Sequence, residues 1–157
     1  MPRRPYKKRI VKPEPVYNSS EVTKLINYIM KDGEKEVAQN IVYQVFNELT
    51  KQKQDPLKVL NLAIQHVAPN FEVKPRRLGG ASYLVPTEVR RERRLFLALN
   101  WIIQAANAKS NKEFKTFTNK LLTELLDASN NQGQAVNKRI QTEKLAEANK
   151  AFAHLKW

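Results

Sequence analysis

Between Phe71 and Val89 the helical pattern stops, and this interruption constrains the fold more than any other feature of the chain. On either side, apolar residues recur every three to four positions. Inside it, residues 71–78 and 81–89 carry no such stripe. Val73, Tyr83, Leu84, Val85 and Val89 favour strand, and Gly79-Gly80 supplies a two-residue turn. Pro75 and Pro86 have no N–H to give to a ladder, so the two runs suit an isolated ribbon or a sheet edge and not a sheet interior. A two-stranded ribbon is marginal alone in water. It is expected to project from a helical body and to become fully ordered against a partner.

The flanking pattern predicts six helices. The first starts after Asn18, with Glu21 three positions on as in a capping box, and Asp32-Gly33 ends it. Its apolar face is Val22, Leu25, Ile26, Ile29 and Met30. The second runs from about 35 to 50 with Val37, Ala38, Ile41, Val42, Val45, Phe46 and Leu49 in one stripe. Asp55-Pro56 is a cap followed by proline at the first helical position, and the third helix stops before Pro69. The fourth, about 92–109, is apolar on nearly all sides and reads as the central buried helix. Ser110 with Glu113 caps the fifth, which carries Phe114, Phe117, Leu121, Leu122 and Leu125. After a turn at 129–133, a mostly polar sixth helix covers about 135–149. The closing AFAHLKW reads equally as a binding tail or as a helix end packed on the body.

Charge is distributed as unevenly as the pattern. The formal net charge of the 157 residues is +13. Residues 1–13 hold Arg3, Arg4, Lys7, Lys8, Arg9 and Lys12 and no acid, and residues 72–94 hold seven bases against three acids. Those two segments carry +10 of the total, and the rest is nearly balanced. Such concentration is the footprint of phosphate binding, where each neutralised phosphate releases counterion. The four prolines among residues 1–17 make that stretch an extended basic arm, and 18–157 reads as a single helical domain. The segment RRERR places cations at the positive end of the fourth helix. Either the fold tolerates that cost or a docked anion offsets it.

Other chemistries find little support. An apolar content of 41% argues against global disorder, and no cysteine is present for disulfides or thiolate metal sites. No apolar h-region follows the basic N-terminus. The longest apolar stretch, 95–108, is interrupted by Asn100, Gln104 and Asn107 and is too short to span a bilayer. A soluble intracellular protein is expected. His66 and His154 lie far apart without metal-ligand spacing, so they read as packing or surface residues, and no cofactor is implied. Gly79-Gly80 lacks the Gly-Lys-Ser/Thr of a phosphate-binding P-loop. Tyr83 suits either stacking on an unpaired base or packing against its partner strand.

The segment VKPRRLGGASYLVPTEV (73–89) closely resembles the hairpin signature of small-subunit ribosomal protein S7, the uS7 family. LAEANKAFAH (145–154) with its aromatic, basic end resembles the C-terminus of the bacterial and organellar members. The opening MPRRPYKKR, the Asp55-Pro56-Leu57 helix start and the length agree, so the resemblance spans the whole chain. It implies a mainly α fold: six helices in one bundle-like domain, with a β-ribbon protruding between the third and fourth. It also implies primary binding to the 3′ major domain of small-subunit rRNA, nucleation of the subunit head, and a ribbon and C-terminal helix facing the tRNA exit (E) site. The mRNA exit path and ribosomal protein eleven would lie nearby, in a bacterial cytoplasmic or an organellar ribosome.

Carried over by position, Lys74, Arg76, Arg77, Gly79 and Gly80 form the RNA-contacting ribbon, and Arg90, Arg91, Arg93 and Arg94 the basic fourth-helix start. Arg3, Arg4, Lys7, Lys8, Arg9 and Lys12 form the rRNA-bound arm, and Lys138 and Arg139 add contacts from the sixth helix. The chain departs from the family pattern at Glu34, where the family has lysine, and at Asn137. The reading is therefore a structural rRNA-binding protein and not an enzyme. The alternative is a DNA-architectural protein with a basic ribbon in the minor groove, although the ribbon tip has no apolar or proline wedge.

Overall fold

The computed structural model describes residues 11–155. The chain forms α1 (Ser20–Ile29), α2 (Lys35–Lys51), α3 (Pro56–Val67), β1 (Phe71–Leu78), β2 (Ala81–Glu88), α4 (Arg91–Ala108), α5 (Phe117–Ser129) and α6 (Gln134–Ala148). A short 3-10 helix, Lys150–Leu155, follows. The fold is mostly helical, with an antiparallel hairpin between α3 and α4, as the pattern predicts.

The helices pack through the faces their spacing marks. Leu25, Ile26, Phe46, Leu49, Leu60, Leu99, Ile102, Leu121 and Leu125 are essentially inaccessible to solvent. Each such side chain stabilises the fold by roughly 1.5–3 kcal/mol relative to exposure. The middle of α4 is buried on several sides, from Leu97 to Ala106, because α1, α3, α5 and α6 all pack on it. Val37 departs from its expected stripe and is half exposed at the start of α2.

Three local expectations are corrected. The α1 cap is Ser19, whose hydroxyl accepts from Val22 N, while Asn18 takes a left-handed conformation at φ 46°. Glu21 accepts from the Ser19 and Ser20 hydroxyls and closes no capping box. Ser110 caps a single turn, accepting from Lys112 N, and α5 starts later behind Thr116, which accepts from Asn119 N. Asp55 behaves as expected, accepting from Leu57 N and Lys58 N ahead of Pro56.

The ribbon is also less isolated than its prolines suggest. Its register pairs Phe71 with Glu88 through to Leu78 with Ala81. The strands pack along α6 and the 3-10 helix. Val85 is fully buried although it stands outside the main core cluster, and Tyr83 meets Phe152 with ring centroids 5.3 Å apart. The tip, 77–82, is exposed throughout.

Candidate nucleic-acid interface

The tip turns on Gly79 and Gly80, with φ of +56° and +89°. Two successive positive φ values fit a primed two-residue turn, which twists with the strands. A Cβ at either glycine would meet nothing, so backbone conformation and not crowding selects glycine there. Arg77 stands exposed beside the turn, opposite Ser82.

Below the tip, alternation puts Glu72, Lys74 and Arg76 on one face of β1. Opposite them, the chain leaves Val89, caps α4 with the backbone of Arg90 and enters the helix at Arg91. Lys74, Arg76, Arg90, Arg91 and Arg94 line one concave cleft between the ribbon and the helix start, with Glu88 as its carboxylate. The N–H groups of the first turn of α4 have no intrahelical acceptor, and the helix dipole adds partial positive charge at the same end. Arg94 Nε is buried and has no acceptor among the described residues. The cleft is thus arranged to receive an anion with several oxygens.

Arg93 is half exposed and paired within the molecule. Its Nε donates to both Glu72 carboxylate oxygens at 3.2 and 3.1 Å, and its Nη2 lies 3.1 Å from Oε2. Its guanidinium also sits 5.9 Å from the Phe96 ring centre, and Phe96 makes an edge contact with Tyr28 of α1. Lys74 Nζ is 3.3 Å from Oε1 of the same carboxylate.

The remaining predicted residues lie elsewhere. Lys138 is exposed beside Trp101 and Gln104, and Arg139 reaches Asn131 at 3.4 Å. Gln104 is ten residues along α4 from Arg94, about 15 Å away at the helical rise, so this is a second patch. Arg3, Arg4, Lys7, Lys8 and Arg9 lie outside the described residues. Lys12 is exposed just before Glu14, which is buried. Glu14 accepts from the Tyr43 hydroxyl of α2 and from Tyr17 N at 2.7 Å. Burial pushes the Glu14 carboxyl up, but those hydrogen bonds outweigh it and the net pKa is lowered. The Glu14 partner and burial push the Tyr43 hydroxyl up to about 12.

Glu34, where the family pattern has lysine, is exposed and makes no side-chain cap at the start of α2. His66 and His154 each hold a backbone carbonyl, of Ala128 at 3.1 Å and Ala151 at 2.9 Å. No group of three or more metal-ligating side chains occurs among the described residues, and no described helix is long and apolar enough to cross a membrane.

Two charge clusters were not foreseen. One is the Glu72–Arg93 pair. The other joins Lys109 to Glu124 at 3.1 Å and to Asp127 at 2.9 Å, with Glu124 fully buried and accepting from Ala135 N at 3.0 Å. The second had a signal: Glu124 falls on the same stripe as Leu121, Leu125 and Ala128. An acid on an apolar stripe demands a partner.

The chain matches the ribosomal protein S7p/S5e family over residues 1–150. It is 52% identical to the small ribosomal subunit protein uS7 of Thermodesulfovibrio yellowstonii and 49% identical to that of Caldicellulosiruptor bescii. Both alignments cover all of each chain. It is 49% identical to that of Phenylobacterium zucineum, over 99% of this chain and 98% of that one.

Proposed function

The chain belongs to the ribosomal protein S7p/S5e family of the small ribosomal subunit, and on that premise we propose that it is a structural, non-enzymatic rRNA-binding protein whose ribbon–α4 cleft grips the RNA backbone. The observation that carries this reading is the convergence of Lys74, Arg76, Arg90, Arg91 and Arg94 from two elements on one concavity. Arginine forks phosphate oxygens bidentately, and the helix N-terminus adds donors. The exposed tip, Arg77 to Gly80, extends the contact, and the basic residues of 1–17 add phosphate contacts of their own, the described part of that segment being pinned by Glu14. The helical domain at 18–157 carries these parts, and Lys138 and Arg139 supply a second contact.

The finer assignment follows the family resemblance: primary binding to the 3′ major domain, nucleation of the head, and a place beside E-site tRNA and the mRNA exit path in a bacterial or organellar ribosome. A protein neighbour, ribosomal protein eleven or another head protein, suits a different surface. Half-exposed Phe71 lies with Pro86, Ala146 and Ala153 in a groove rimmed by Glu88, Glu143 and Glu147 against one cation, Lys150, an acidic balance that disfavours RNA and favours a basic polypeptide. The DNA-architectural alternative has no support. The relatives are ribosomal, and glycines stand where a wedge would be.

The test is a titration on the 3′ major domain of small-subunit rRNA, against unrelated RNA of equal length and bent duplex DNA, at two salt concentrations. Preference for the rRNA domain that survives raised salt is expected. Equal, salt-labile binding to all three would overturn the reading.

A further inference from the structure

Beside the basic cleft, at the base of the ribbon, lies an acid that does not line it. The strands of the ribbon pack on α6 and the 3-10 helix, α6 packs on α4, and buried Val89, whose N–H donates to Asn70 O, ties the ribbon base to the start of α4. Above that base, the backbones of the strands and of α4 do not approach closely among the described residues. A side-chain link from the ribbon to α4 is made by a carboxylate. Glu72 is 8% exposed and lies at the ribbon base, where Thr87 Oγ1 donates to its backbone carbonyl. It takes Arg93 from the α4 wall in a three-contact fork and Lys74 from the ribbon wall. Arg93 is in turn backed by Phe96 and, through it, by Tyr28 of α1. The forked, partly buried geometry has directional strength that a single exposed contact lacks.

We propose that Glu72 is a positioning residue for RNA binding: an acid that raises affinity for a polyanion by holding the two cationic walls of the cleft in register. The inference rests on the reading of the cleft as the RNA-binding site. Simple electrostatics gives the opposite expectation. Removing a carboxylate raises the net charge from +13 by one and would tighten binding to any RNA. Preorganisation gives weaker binding, because the free protein then samples cleft geometries that do not match the phosphates.

The chain has no cysteine, so spin labels can be placed cleanly at Ala81→Cys on the ribbon tip and Asn107→Cys on α4, both exposed positions. The full chain with these labels should give a narrow distance distribution. Glu72→Gln and Arg93→Gln should each broaden it while leaving the unfolding midpoint of the body nearly unchanged. In the unlabelled chain, Glu72→Gln should weaken binding to the 3′ major domain fragment by about fivefold, the scale of one well-formed, partly exposed ion pair. Equal or tighter binding by Glu72→Gln, or an unbroadened distribution, would overturn the inference. Failure of the underlying reading shows separately, in the unsubstituted protein: it would then bind the rRNA fragment no better than unrelated RNA.

Discussion

The two ends of α4 treat positive charge in opposite ways. At the C-terminal end, Lys109 stands where the helix dipole is negative, and it is matched by Glu124 and Asp127. Burial pulls the Lys109 pKa down, but hydrogen bonds to those two acids outweigh it and the net shift is upward. At the N-terminal end, Arg90, Arg91 and Arg94 gather where the dipole is already positive, around an open cleft. One end neutralises its charge inside the molecule and so contributes to stability. The other gathers more cations than acids around the cleft, with Glu88 in its lining and Glu92 in the first turn of the helix. Arg93 marks the boundary: it sits among the second group but is matched like the first, by Glu72.

The comparison can be broken most forcefully at the matched end. Glu124→Ala leaves Lys109, 13% exposed, with half its partners and strips the acceptor from Ala135 N. Removing one member of a buried pair should destabilise the protein by ~3 kcal/mol in chemical unfolding. RNA affinity at temperatures where the variant is folded should stay the same. An unaltered unfolding free energy would mean the cluster is decoration.

The arm root applies the same rule on a smaller scale. The folded pKa of Glu14 lies below its unfolded value of 4.5, so its contribution is full above that value and is lost as pH falls through the folded pKa. Tyr43 is the mirror case. Its contribution is full below the unfolded value of 10.0 and is lost as pH rises toward about 12. Glu14→Gln should therefore lower stability at neutral pH by ~1–2 kcal/mol and flatten the acid limb of a stability–pH curve. A parallel loss at every pH would contradict the assignment.

Much of this was legible in the sequence because it is local. The strands are predicted at 71–78 and 81–89 and observed at 71–78 and 81–88, because the loss of helical period and the Gly79-Gly80 turn are both encoded within one segment. The Asp55-Pro56 cap is equally local. The start of α5 was misplaced because Ser110 and Thr116 are both competent caps, and the packing of Phe117 against the core decides between them. The Glu72–Arg93 fork was illegible for a different reason: it joins residues 21 positions apart, on a strand and a helix, inside a run where every arginine looks alike. Tyr83 was ambiguous until Phe152 came from the far end of the chain to meet it.

The most direct measurement uses the unmatched end. Arg90 and Arg91 are exposed and line the cleft. The double substitution Arg90→Ala, Arg91→Ala should lower the slope of log affinity against log salt by about 1.4–1.8 on the rRNA fragment, two phosphate contacts' worth. Folding stability should hold or rise by ~0.3–1 kcal/mol, because repulsion with the helix dipole is relieved. A slope that does not change, or a stability that falls with the affinity, would contradict the claim that this end of α4 is kept for an external polyanion.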